Sequence, residues 1–185
     1  MKTAFWAILA IGVATVPALA QNPAQNSAQM PGADPTGVWR VADGGALIRV
    51  VDCGNALWGV VAWERNPGRD VHNPDPALRR RPTLGMPVLL RMRPSDDPGH
   101  WEGNIYNAKD GQTYDASIAL RSADTLHVEG CALGIFCGGE DWTRVQQPAQ
   151  RYTGSVNGTT GDAGPVTAPA AAICSSIARI PGRPH

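Results

Sequence analysis

The stretch HNPDPALRRRPTLG, residues 72–85, concentrates the side chains of this chain that could do chemistry. His72, Asn73 and Asp75 carry acceptor atoms, and Arg79, Arg80 and Arg81 follow as three consecutive guanidinium groups. A metal site built on His72 and Asp75 has two ligands, too few for a stable centre. The arginines suit planar, bidentate pairing with carboxylates or another anion. Two readings follow. In one, the arginines are solvated or paired with Asp70 and Asp75. In the other, the segment is a basic lid whose Arg79 or Arg81 grips the acidic head group of a ligand. Runs of exposed charge are more often plain surface, which favours the first.

Local rules give the segment a shape. Asn73 precedes Pro74 and is biased to extended backbone. Asp75 is a good helix N-cap and Pro76 a good first residue. Ala77 to Arg80 then make one helical turn, stopped by Pro82, with Leu78 pointing inward as its anchor. Asp75 and Arg79 are four apart and can pair along the turn.

The remaining chemistry-bearing residues assemble into less. His72, His100 and His127 are far apart in sequence, and His185 is the last residue. There is no G-x-S-x-G, no H-E-x-x-H and no phosphate loop. Asp96 and Asp97 are adjacent in a turn, so their side chains diverge, whereas a glycosidase pair must face one bond. His127 alternates with Thr125 and Glu129, which suits a cross-strand partner better than a general base. No reaction can be put together from these groups, and the chain is expected not to be an enzyme. No cofactor or metal is implied.

Four cysteines are present: Cys53, Cys131, Cys137 and Cys174. In an oxidising compartment an even number suggests disulfides, and four allow three pairings. Cys131 and Cys137 enclose the short loop ALGIF and are the favoured pair, which leaves Cys53 with Cys174. No C-x-x-C and no nearby histidine supports zinc.

These groups must be positioned by strands. From Thr36 the chain breaks into short β-like runs: GVWRVA, ALIRVVD, LWGVVAWE, MPVLLRMR, HWEGNIYN, TYDASIALR, TLHVEGC and EDWTRV. Asp43-Gly44, Cys53-Gly54-Asn55, PSDDPG, Asp110-Gly111 and SAD separate them as turns. No helical period of any length intervenes. About eight strands joined by hairpin turns predict an all-β, up-and-down antiparallel barrel, since closure removes the two edges. A barrel of eight strands is filled by side chains or holds one small ligand. Tyr114, Ala116, Ile118 and Leu120 share one face of their strand. Among the tryptophans, Trp39 and Trp142 read as structural. Core or pocket stays open for Trp63, Met86, Val88, Leu90, Trp101 and Tyr106.

The ends differ from the middle. Lys2, the apolar run from Ala4 to Val16, Pro17 and Ala18-Leu19-Ala20 read as a signal peptide cleaved after residue 20. Residues 21–35 read as a flexible leader, 36–146 as the barrel, and 147–185 as a low-complexity tail expected to be disordered. Within that tail AAICSSIARI, 171–180, can form a short helix or pack on the barrel. Without the signal the formal charge is −1, and Lys109 is the only lysine. Export and near-zero charge exclude a nucleic-acid partner. No other transmembrane stretch follows, and a periplasmic or secreted location is expected. Composition leaves the oligomeric state open.

Gly37-Val38-Trp39 in the first strand and Arg144 in the last resemble lipocalin-like barrels. There a G-x-W opens strand one, and an arginine of the final strand covers that tryptophan by cation–π contact. GVWR, DGGALIRVVDCGNALWGVVAW, NPDPALRRRPTLG, WEGNIYNAKDGQTYDASIAL and LHVEGCALGIFCGGEDWTR, in that order, resemble the exported bacterial family of domain of unknown function 2147. The resemblance spans residues 36–145 and implies a lipocalin-like barrel outside the cytoplasm, with no reaction attached. Where the family commonly has a second cysteine soon after the first, this chain has Trp58. That is a further reason to look to Cys174 for the partner of Cys53. The expected function is binding of a small apolar or amphipathic ligand. Asn73, Asp75, Arg79, Arg81, Trp63, Trp101 and Tyr106 are its candidate contacts. Gly37, Trp39 and Arg144 are structural. The first alternative is a cell-envelope interaction protein with a filled barrel, and the second is an enzyme of unknown reaction.

Overall fold

The turn signals reverse the chain seven times in the computed structural model, which describes residues 34–146 and 168–179. Eight strands result: β1 (Gly37–Arg40), β2 (Ala46–Asp52), β3 (Leu57–Glu64), β4 (Pro87–Pro94), β5 (His100–Asn107), β6 (Gln112–Ser122), β7 (Thr125–Ala132) and β8 (Phe136–Arg144). Each pairs antiparallel with the next. β1 and β8 close the ring through Trp39 opposite Arg144 and Arg40 opposite Thr143. The fold is a closed up-and-down antiparallel barrel, as the strand pattern predicts. The signal peptide, most of the leader and residues 147–167 lie outside the described residues.

Alternation decides what fills the barrel. Trp39, Ile48, Leu89, Met92, Ile118 and Leu126 point inward and form the buried centre, with Trp142 above them. Each such side chain contributes about 1.5–3 kcal/mol by leaving water. The base is sealed by Arg144. Its guanidinium lies 4.1 Å from the Trp39 ring and donates to the carbonyls of Ala123, Thr36 and Asp34 at 2.6, 2.7 and 2.8 Å. Gly37 sits at φ 132°, and a Cβ there would lie 2.8 Å from the arginine, so the G of G-x-W makes room for the cap.

The outer face of β2 and β3 is also apolar. Val51, Trp58 and Val60 stand there, and helix α1 (Ala170–Ala178) covers them with Ile173 and Ile177. This helix lies inside the stretch 147–185 read as tail, at the place where a short helix was allowed. A disulfide between Cys53 and Cys174 fixes it, and a second joins Cys131 to Cys137. The second does not bracket a loop. Its cysteines oppose each other in β7 and β8, and the hairpin continues to Ala132 and Phe136. Leu133 and Gly134, at φ 54° and 68°, make the tight turn at its tip, so β8 starts earlier than the sequence suggested. Positive φ at both central positions is what a type I′ hairpin turn needs.

Candidate functional site

Arg144 ends β8 at the sealed base, so Phe136, at the other end of β8, marks the mouth. The long β3–β4 connection crosses this end as a strap. Residues Pro76–Leu78 form a single 3-10 turn capped by the Asp75 carboxylate, which accepts from the Ala77 N–H at 2.9 Å. Leu78 is only half-buried and is not the anchor. The anchor is polar.

Asp70 is 0 % exposed. Its Oδ1 accepts from the Tyr106 hydroxyl at 2.6 Å. Its Oδ2 accepts from Asn73 Nδ2 at 2.7 Å and from Arg81 Nε at 2.9 Å, and the Arg81 terminal nitrogen lies 2.8 Å away. Arg81 also stands over the Tyr106 ring, 5.6 Å from its centre. A buried carboxylate is tolerable only when its lone pairs are met in this way. Burial pushes the Tyr106 phenol up to about 12, helped by its bond to Asp70 and the charge of Asp70, while Asn73 and Arg81 pull the other way. At the strap tip, the His72 carbonyl oxygen lies 1.9 Å from where a Cβ on Gly111 would be, so only glycine fits the β5–β6 turn beneath it.

Beside the strap, β5 to β8 enclose an open-mouthed cavity of about 570 Å³. Ile105, Val128, Phe136 and Trp142 supply its apolar wall. Gly130 and Gly138 oppose each other across β7 and β8 with no side chain to fill the space between them. A Cβ on Gly138 would meet nothing within 4 Å. Glu140 alternates with Gly138 and Trp142 on the inner face, and its Oε1 accepts the Trp142 indole N–H at 2.5 Å. At the rim the Tyr114 hydroxyl donates to Asp110 Oδ2 at 2.9 Å, which raises the pKa of that phenol.

Of the seven candidate ligand contacts, Tyr106 alone borders this cavity. Asn73 and Arg81 hold the strap through Asp70. Arg79 donates from Nε to the Asn73 carbonyl at 2.8 Å, and Asp75 is engaged as a cap, so the two do not form the expected pair along the turn. Trp101 packs half-buried against the core, and Trp63 lies half-buried on β3 opposite Leu47. Met86 is buried, and Leu90 packs toward α1 on the outside. His127 pairs with Asp141 at 2.7 Å on the outer face. Glu129, Cys131 and Cys137 bring three potential metal-binding atoms together, but the two sulfurs are bonded to each other. Glu140, Gly138 and Phe136 escaped the sequence reading, and Tyr114 was placed on the shared face of its strand without being named as a contact. Its last strand began near Glu140, so the alternation that turns Phe136, Gly138 and Glu140 inward was out of view.

The hairpin tip outside the cavity is apolar and open. Leu133 is 88 % exposed and Ile135 73 %.

A family model described as an uncharacterized protein conserved in bacteria, DUF2147, matches residues 37–144. No curated protein matches the chain. Among solved structures, the chain is similar to protein HP1028 from the human pathogen Helicobacter pylori, described as belonging to the lipocalin family. The two share 18 % sequence identity and a TM-score of 0.56, over 65 % of this chain and 86 % of that one. No described helix is long and apolar enough to cross a membrane.

Proposed function

We propose that this chain, which belongs to the bacterial DUF2147 family, binds a small, largely apolar ligand in the mouth of its lipocalin-like barrel. The cavity between β5 and β8 carries the reading. It is the size of a small-molecule site, walled by aliphatic and aromatic groups, and held open by facing glycines. The sealed base and the strap keep its geometry rigid, which lowers the ordering cost of binding. The role is binding, with no turnover. Two disulfides suit an oxidising location, and we place the protein in the periplasm or outside the cell.

Native mass spectrometry of the purified protein against a lipid and metabolite panel tests this. The wild type is expected to retain a ligand that the Gly138→Phe variant, whose ring fills the cavity, does not. Absence of any binder, or binding indifferent to Gly138→Phe, would sink the proposal.

A second reading rests on the exposed tip. Leu133 and Ile135 cost solvation, and Leu133 also occupies a backbone region that leucine avoids. A partner in the cell envelope could cover them. Replacing both with serine would then abolish association while leaving cavity binding intact.

A further inference from the structure

The cavity has a charge sign as well as a shape. Twelve residues line it: four apolar side chains already named, three glycines, Ala132, two tyrosines, Asn107 and Glu140. The only charged one is Glu140. Its Oε1 is held by the Trp142 indole. At the rim, Asp110 adds a second carboxylate, engaged by Tyr114 and Asn107 at 2.9 Å each. The arginines of the strap are not part of the lining. Arg81 is bound to Asp70 and Arg79 to the Asn73 carbonyl.

Glu140 is exposed at the open side of the cavity. An alanine at position 140 would leave the Trp142 indole at the open cavity, where water can serve it. An acidic ligand head would meet Glu140 with like charge, and the only neutral side-chain donors in the lining are the indole N–H already given to Glu140, the phenol O–H groups and the Asn107 amide N–H. A cationic head would meet the carboxylate of the one charged residue of the lining, exposed toward the cavity. Tyr114, Phe136 and Trp142 also line the cavity, and aromatic rings attract a cation through their quadrupole. The apolar wall would take the rest of the molecule.

We infer that the ligand is an amphipathic amine: an apolar chain or ring system carrying a protonated nitrogen, read by Glu140 with aromatic support. This rests on the cavity being the binding site, and it replaces the acidic head group expected from the arginine run.

The test uses the full purified chain and three probes with one apolar body and different heads: decylamine, decanol and decanoate. Trp142 in the cavity wall gives a fluorescence readout of each titration. The expected order is amine, then alcohol, then acid, with the amine on the order of tenfold tighter than the acid, as one partly solvated charge contact allows. Glu140→Gln keeps an acceptor for Trp142 and is expected to erase the preference. Glu140→Lys is expected to turn it toward decanoate. Thermal unfolding of each variant checks that the barrel is intact. If decanoate binds as tightly as decylamine, or if Glu140→Gln leaves the preference standing, the amine is wrong, although loss of all binding in Gly138→Phe would still uphold the cavity. If none of the three probes binds the wild type, the cavity reading falls and the amine with it.

Discussion

Replacing Arg81 by alanine removes a charge-assisted hydrogen bond to Asp70 at 2.9 Å and an ion-pair contact at 2.8 Å, together with the guanidinium over Tyr106. Asp70 is left as a fully buried carboxylate with donors only from Tyr106 and Asn73. Breaking a buried ion pair from one side costs about 3–5 kcal/mol. Arg81 itself is 22 % exposed, and water entering behind the truncated side chain recovers part of that cost. The expected loss is therefore near the lower limit, about 3 kcal/mol. The neighbouring Arg80→Ala is the control. Arg80 is exposed, and its truncation is expected to change stability by less than about 0.5 kcal/mol. Urea unfolding followed by tryptophan fluorescence, with the disulfides intact, measures both. Asp70→Asn combined with Arg81→Ala is expected to cost clearly less than the two single losses added, because the uncompensated charge is gone. Amide exchange should localise the effect, with the Asp70 and Asn73 N–H groups losing protection first, since both bond within the strap at 3.1 and 3.0 Å. Equal losses for Arg81→Ala and Arg80→Ala would refute the idea that this pair fastens the strap.

Three further outcomes follow from the same contacts. The Tyr106 phenol is held near 12 in the fold against 10.0 in a free chain, so its contribution is complete below pH 10 and is lost as pH rises toward 12. Alkaline unfolding of Tyr106→Phe should lack that component, and an unchanged pH profile would contradict it. Arg144→Lys keeps the charge but cannot reach three carbonyls while covering Trp39. It should lower stability by about 2 kcal/mol in the same urea assay, and no loss would mean that the base does not depend on the guanidinium. Changing both Cys53 and Cys174 to serine removes a bridge with a sequence separation of 121, for which chain entropy gives about 5 kcal/mol. The variant should also bind an apolar dye at the uncovered Val51, Trp58 and Val60, and absence of dye binding would show that α1 stays docked without the bond.

Much of this architecture was legible because its causes are local. Asp110-Gly111 and Asp43-Gly44 announced their turns, Asp75 and Pro76 announced the 3-10 turn, and alternation in β6 gave its inner face. The apolar pairs Val50-Val51 and Val60-Val61 broke the alternation of β2 and β3, a sign that both faces are covered, but nothing nearby says that a helix more than a hundred residues away covers the outer one. The strap was read through its arginines, and Asp70 was seen only as a possible partner. Its central role depends on Tyr106, which comes from another strand. The cavity was missed for a one-element reason. A tight turn with leucine at positive φ carries no Asn-Gly or Asp-Gly signature, so ALGIF looked like a loop. Extending β8 back to Phe136 is what turns Gly138 and Glu140 toward the lumen.

The two disulfides differ in span by a factor that bears on how they can form. Cys131 and Cys137 are six residues apart on one hairpin, whereas Cys53 and Cys174 are separated by 121. Bringing the distant ends together costs roughly 2.7 kcal/mol more in loop closure than bringing the near ones together. A chain oxidised as it emerges presents Cys53 first and Cys174 last, with both hairpin thiols in between. Early closure of the hairpin withdraws the two wrong partners before the right one arrives. With the hairpin closed, Cys53 has a single thiol left to pair with, Cys174. Contour length along the chain thus favours one pairing of three, the near bond before the distant one.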